Sequence, residues 1–536
     1  MITSFKCTPD SFAIEYFKEI LNTYHKPYLI LQLDEHDSTV GYETRIESAI
    51  RAFRNHREKE KLKNEKMLAL QNGKKEPLNQ VSNPGFNNNW EEYIHGLMND
   101  ASETLRAYGI DFKKFSNLLQ RTNGIETNLS GSFISGSNSL RNKTLLLPSW
   151  DPCVGPLLEA VLQNSGIDAR LVTSTKESIQ RSLSFNTGQC LPLNIIVQNA
   201  IEYIETNSLN PSETVLWVVK SDLSCNLSMF PSYTKKLLNN YGKGLENTAV
   251  YIGDAIFYDL SLQTAINAYL AYMFGGYIRK MGCKTRPYEK NKGTTDAVMA
   301  KAYKTLYDVF KNGTPKENAL ELIIRDFEAI DVLHTDRPKV AIFGDLYVRD
   351  NDLMNQDLIK TVEDNGGEVI TTPYSEFLKI IVDTLIGRRF KEGRYLEYAK
   401  IRFLASLIPL VEEKFNPFFY RLVEKPINGK SMKVENWLSQ FGLHLLHAGE
   451  SVENILKIHT LIHQYPDIAL FIQTNPSYCC PSLVTEAMTA RIEEITGIPV
   501  VTIEYDGTSG FKNEDVIPYL KYRKTKNEVS QYLKNP

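Results

Sequence analysis

The sequence predicts an α/β protein of two doubly wound, Rossmann-like parallel-sheet domains, with a helical N-terminal region and a helical connector. Three observations carry this. From Thr144, short apolar runs (LLLPSW, DARLV, TVLWVV, TAVYIGDAIF) alternate with amphipathic stretches such as Leu193 to Glu205. The alternation restarts at KVAIF, Lys339 to Phe343, and continues through EVITT, ALFIQT and PVVTIEY. Between the two series, Thr294 to Asp331 has the pattern of two helices. Strands that alternate with helical stretches imply βαβ units, and βαβ units imply parallel sheets.

Taken in order, residues 1–142 read as a helical lead-in with one strand, within Tyr28 to Leu33, and a long charged helix from Glu43 to Gln71. An exposed linker is expected near 73–89, where Asn, Gly, Pro and Lys concentrate. Residues 143–293 form the first expected Rossmann-like domain and 294–336 the connector. Residues 337–536 form the second, with long helices between Tyr374 and Gln464. The longest apolar run, Ala265 to Ile278, carries Asn267 and two glycines and stops at Arg279-Lys280. It falls short of the roughly 18 residues a membrane span needs and reads as a buried helix. The first residues, with Lys6, Pro9 and Asp10, lack the apolar core of a signal peptide. The chain is therefore expected in the cytoplasm. Its 536 residues, 42% hydrophobic, suffice for two or three domains with cores. A net charge of −3 gives no footing for a nucleic-acid or membrane partner.

Seven cysteines, an odd number with two of them adjacent, do not make a disulfide framework in a chain this long. No C-x-x-C pair occurs, so zinc-ribbon and ferredoxin-type spacings are missing. Any metal ligands must converge from distant loops. Three positions share one local grammar. Cys190 stands before Leu191-Pro192 and the helix expected near Leu193. Cys225 follows the strand Thr214 to Lys220 and precedes Met229-Phe230-Pro231. Cys480 follows the strand Ala469 to Thr474 and precedes Pro481 and a helix over Ser482 to Glu494. Proline suits a first helical turn, so each cysteine is expected just before a helix N-terminus. That position favours the thiolate, the form that binds iron or zinc. The plain alternative is three small buried side chains. A Cys479–Cys480 disulfide would be strained.

The other candidates are weaker. Cys7, before Thr8-Pro9, and Cys153, after Asp151-Pro152, could join the same crevice, and Cys479 competes with its neighbour. Cys283, at a helix end, reads as structural. Asp345, Arg349 and Asp350, with Asp352, load the end of the strand KVAIF with charge and make a possible polar site. The alternative is a solvated loop in which Asp352 caps the next helix. Asp34-Glu35-His36-Asp37 could bind a divalent ion. His459 and His463 lie four apart without the glutamate of a zincin. No phosphate-binding loop is readable: Gly131 to Gly136 has the Walker spacing but Ser137 in place of lysine, and no G-x-S-x-G occurs. No nucleotide is expected on this chain.

NTGQCLPLN at 186–194, SCNLSMFP at 224–231, GDLYVRDND at 344–352 and NPSYCCPSLVTEAM at 475–488 carry a resemblance. TTPYSE at 371–376, VVTIEYDGT at 500–508, FKCTPDSF at 5–12 and LILQLDEHDSTVGYETRIE at 29–47 extend it over essentially the whole chain. These segments resemble the large acyl-CoA dehydratase activase-related proteins, relatives of 2-hydroxyacyl-CoA dehydratases and double-cubane-cluster reductases. The resemblance implies an iron–sulfur cluster, a 4Fe–4S or half of a double cubane, held by Cys190, Cys225 and Cys480. The cysteine directly before proline is preferred to Cys479 on the same ground. It further implies an electron-transfer or reductase component that works anaerobically with an actin/sugar-kinase-like ATPase activase. A cysteine-bearing partner half, or a second copy in a homodimer, would complete the centre. The rival readings are a dehydratase-like subunit that binds an acyl-CoA or small acid directly, and a scaffold with buried cysteines.

Overall fold

The computed structural model describes residues 2–4, 31–33, 133–185, 188–219, 225–425, 434–444 and 449–521. The expected charged helix at 43–71, the linker near 73–89, Cys7 and Asp34 to Asp37 lie outside the described residues. Residues 1–92 with 187–189 form one unit, and 93–186 with 190–536 the other. In the first unit, β1 (Ile2–Ser4) and β2 (Leu31–Leu33) pair in parallel.

The second unit holds two wholly parallel sheets. The first has β3 (Phe133–Ile134), β4 (Thr144–Pro148), β5 (Asp168–Val172), β6 (Thr214–Val219) and β7 (Ala249–Gly253) in the order β3-β7-β6-β4-β5. The second has β8 (Lys339–Gly344), β9 (Glu368–Ile370), β10 (Ile468–Pro476) and β11 (Val500–Tyr505) in the order β11-β10-β8-β9. Strands covered on both faces read as unbroken apolar runs. TVLWVV in β6 and KVAIFG in β8 are buried along nearly their whole length. Each apolar run expected as a strand from 144 onward is one. The two-residue β3, too short to show a pattern, falls inside the expected lead-in.

Both sheets reverse their winding at one point. In the first, the chain runs from β4 outward to β5 and then back to β6 on the other side. In the second, β8 leads outward to β9, and β10 returns on the other side of β8. A crevice opens at such a switch point, beyond the carboxyl ends of the strands, because the flanking connections leave in opposite directions. Pro148 and Cys225 border the first crevice, Asp345 and Cys479 the second.

The helix Leu262–Thr285 joins the two halves. It is buried all round, including Arg279 and Lys280. The apolar run does not stop at those cations, as expected from sequence, because each finds a partner inside. Arg279 donates to Asp151 at 2.8 and 2.5 Å, and Lys280 sits over the Tyr465 ring at 5.8 Å. Most of the helix packs into the core of the first sheet, while Cys283 belongs to that of the second. Each fully buried Leu, Ile or Phe contributes about 1.5–3 kcal/mol relative to exposure. The connector is the helix pair Thr294–Asn312 and Glu317–Glu328, as expected.

Gly344 ends β8 at φ +121°. A Cβ there would run into the Thr474 backbone, 2.7 Å from its nitrogen and closer to its carbonyl oxygen. Gly344→Ala is expected to cost about 2 kcal/mol or more in a urea melt, since strained φ and a backbone clash add. A loss under about 0.5 kcal/mol would show that the β8–β10 approach can relax.

Candidate functional site

Three cysteines enter one cavity by the same local device. Cys190 has extended backbone, φ −51° and ψ 122°, directly before the helix Leu191–Thr206 with Pro192 in its first turn. Cys225 is extended too, φ −149° and ψ 154°, before a 3₁₀ turn and the helix Phe230–Tyr241 that begins Phe230-Pro231. Cys479 has φ −86° and ψ 108° before the helix Cys480–Glu486, with Pro481 in its first turn. Tyr478, just ahead, takes φ +65°, a sparsely populated conformation that turns the chain sharply off β10. Leu191 N donates to Ser477 O at 3.3 Å, which ties the Cys190 and Cys479 turns together.

The cavity holds about 690 Å³ and takes Cys190, Cys225 and Cys479 into its wall, with Asp345 and Glu450 beside them. Cys479 Sγ donates to Asp345 Oδ2 at 4.0 Å. Ligand atoms of Asp345, Glu450 and Cys479 all lie within 4.8 Å of one another. Asp345 caps the short helix Leu346–Arg349: its Oδ1 accepts from Tyr347 N at 2.9 Å and Val348 N at 3.0 Å. Glu450 opens the helix Glu450–Gln464 and accepts from Leu346 N at 3.0 Å. Each carboxyl thus has one oxygen fixed by backbone.

The charge state follows from this crowding. Its bond to Cys479, then burial, raises the Cys190 thiol well above the ordinary range. Burial, then Glu450 and Cys479, does the same to Cys225. Burial lifts Asp345 to about 6 against the pull of the helix amides, and burial followed by Asp345 lifts Glu450 well above the carboxylate range. Cys190, Cys225 and Glu450 therefore hold protons that a bound cation would displace.

The sequence-derived candidates separate. Cys190 and Cys225 both line the cavity. The third member at the cavity wall is Cys479, whereas Cys480 is the first residue of its helix and accepts from Asn226 Nδ2 at 3.6 Å. The member of the pair at the wall is thus the residue before the cysteine that the resemblance prefers. Proline fits either of the first two helical positions, and here it takes the second, so the residue before the helix is Cys479. The single helix expected over Ser482 to Glu494 is two, Cys480–Glu486 and Thr489–Thr496. Cys153 stays apart, against Asp151, Arg279 and Tyr303, its thiol pushed up to about 12 by burial. Cys283 is fully buried in the second core, as expected of a structural residue. His459 lies against Trp437, ring centroids 4.7 Å apart, on a core face.

The charged strand end is no solvated loop. Asp345, Arg349 and Asp350 are 9%, 1% and 2% exposed, and only Asp345 reaches the cavity. Arg349 clasps Asp350 at 3.0 and 2.6 Å and donates to Thr372 O at 3.0 Å, a structural role. Asp345 caps the short helix Leu346–Arg349, while the next helix, Leu358–Asp364, follows Asp357 and not Asp352, with no side-chain cap. Glu450 had no signal in the sequence except its place at the start of an amphipathic helix.

Together these features define a class: a two-sheet parallel α/β protein whose facing switch points enclose a thiol- and carboxyl-lined cavity. The chain matches no family model and no curated protein. Among the described residues, no helix is long and apolar enough to cross a membrane.

Proposed function

We propose that Cys190, Cys225 and Cys479 hold an iron–sulfur cluster at one end of the cavity. The chain would then serve as an electron-transfer or reductase component. The observation that carries this reading is the arrival of three thiols, from three separate strand-to-helix turns, at one wall beside two carboxyls, with no cation among the described residues that line this end of the cavity. Such a donor set is short of positive charge. It stays protonated or takes a metal, and soft sulfur donors favour iron or zinc. When bound, the cluster would supply one-electron transfer, with a potential set by burial and by hydrogen bonds to sulfur. The chain's own part is to orient the thiols through Tyr478 and the three proline turns, to hold Asp345 and Glu450 on backbone amides, and to keep water out with an apolar wall.

The sequence resemblance supports the rest of this reading: an ATP-dependent activase as electron donor, a cysteine-bearing partner or second copy, and a cytoplasmic, anaerobic setting. A direct dehydratase role on an acyl-CoA or small acid is the variant in which the same centre binds substrate. One observation favours a second reading, in which a single transition-metal ion sits between Cys479, Asp345 and Glu450, whose ligand atoms already lie within 4.8 Å.

Anaerobic purification with iron and acid-labile sulfide analysis tests both. Iron and sulfide in equal amounts are expected. Metal without sulfide would select the single-ion site. Neither metal nor sulfide after anaerobic reconstitution would leave three buried thiols and end the proposal.

A further inference from the structure

The cavity extends far beyond the cysteines. The helix Tyr374–Lys391 starts beside the site, where Tyr374 Oη donates to Leu346 O, and runs away from it. Its residues Tyr374, Leu378, Leu385 and Arg389 all line the cavity. Fifteen residues separate the first from the last, about 22 Å at 1.5 Å per residue. The antiparallel helix Tyr395–Phe419 lines the same length, from Glu397 through Ile401 to Ile408 and Val411. The cavity of about 690 Å³ is thus elongated, a channel that follows these two helices.

Its chemistry is one-sided. Among the described residues that line it, Arg389 is the one cation, at the end remote from the cysteines. Arg389 is itself held by Glu392 at 2.8 Å and Glu397 at 3.0 Å. Asp254, Asp345, Glu397 and Glu450 are the acids. The long middle is Leu, Ile, Val and Phe. Tyr258, Tyr269 and Tyr272 also line the channel, Tyr269 and Tyr272 with their hydroxyls held by Glu412 and Ala255 O, and at the cysteine end Asp345 and Glu450 keep oxygens that can exchange hydrogen bonds with a ligand.

We infer that the channel binds a single unbranched apolar chain that ends in an uncharged oxygen function, such as an alcohol or aldehyde, with that end at Asp345 and Glu450. A terminal carboxylate would face two carboxyls and three thiols. A phosphate-bearing carrier would enter a wall whose acids outnumber its single, already paired cation. Unpaired charge is costly away from water, so the channel selects against both. This rests on the functional reading only in taking the cysteine end as the reacting end.

Binding is read on the metal-free protein, by displacement of the neutral fluorescent probe N-phenyl-1-naphthylamine. Dodecanol is expected to displace it at least about tenfold more tightly than octanol, because each buried methylene adds to affinity. Dodecanol should also bind at least about tenfold more tightly than dodecanoate or dodecanoyl-CoA. Ala405→Trp and Leu385→Trp, each placing an indole in the channel, should abolish displacement by dodecanol. Both should keep the wild-type circular dichroism, and the iron and sulfide of the anaerobic protein. Equal or tighter binding of dodecanoate or the CoA thioester would overturn the inference. So would undiminished dodecanol binding in two folded tryptophan variants. Loss of metal without loss of dodecanol binding would strike the functional reading alone.

Discussion

Cys479→Ser, reconstituted anaerobically, is expected to hold at least about tenfold less sulfide-bridged iron than the parent, since even outer-shell changes at metal sites cost 10–100-fold. Cys190→Ser and Cys225→Ser should behave alike. Cys480→Ser should keep most of its iron, because its sulfur sits in the first helical turn against Asn226. Cys283→Ser, in the second hydrophobic core, is the control for folding. The pair 479/480 is the sharp comparison. If Cys480→Ser loses the iron and Cys479→Ser retains it, the one-residue assignment is reversed. If all five variants match the parent, the cysteines are not ligands.

Arg279→Met is expected to destabilise the protein by about 3–5 kcal/mol, the range found when one partner of a buried ion pair is removed. Arg279 is 5% exposed and Asp151 1%. Beyond its two bonds to Asp151, the guanidinium donates to Asp350 O at 3.2 Å. Asp151 also accepts from Cys153 N at 2.7 Å, so Asp151→Asn keeps an acceptor while removing the charge. Each single change strands a charge, and the double variant strands less. The double loss should therefore fall short of the sum by about 0.5–3 kcal/mol. Urea unfolding followed by the fluorescence of Trp150 and Trp217, ring centroids 5.1 Å apart, reads it out. Single variants within about 0.5 kcal/mol of the parent would mean that water or Asp350 compensates the lost partner.

Much of the architecture could be read from the chain because parallel strands buried on both faces leave unbroken apolar runs. TVLWVV, KVAIF and ALFIQT each became a strand of this kind. The cysteine turns were also visible, because proline after a strand marks a helix start. Three things were hidden. Which of two adjacent cysteines precedes the helix depends on whether proline takes the first or second helical position, a choice without local preference. Glu450 reaches Leu346 N, beside Asp345, through tertiary packing across 104 residues of chain, which no spacing encodes. The role of Arg279 was concealed because a cation after an apolar run ordinarily marks exit to water. Here it marks a partner on another element.

The helix Leu262–Thr285 is shared by the two sheets. Its side chains complete one core and enter the other, and its Arg279 meets carboxylates from the carboxyl end of a strand in each sheet: Asp151 beyond β4 and Asp350 beyond β8. Parting the two sheets would strip this helix from the first core, pull Cys283 out of the second and break both pairings of Arg279. A change at the helix's Arg279 end would be felt at the site without touching it, whereas Leu262, Ala265, Ile266, Tyr269 and Tyr272 of the same helix line the cavity themselves.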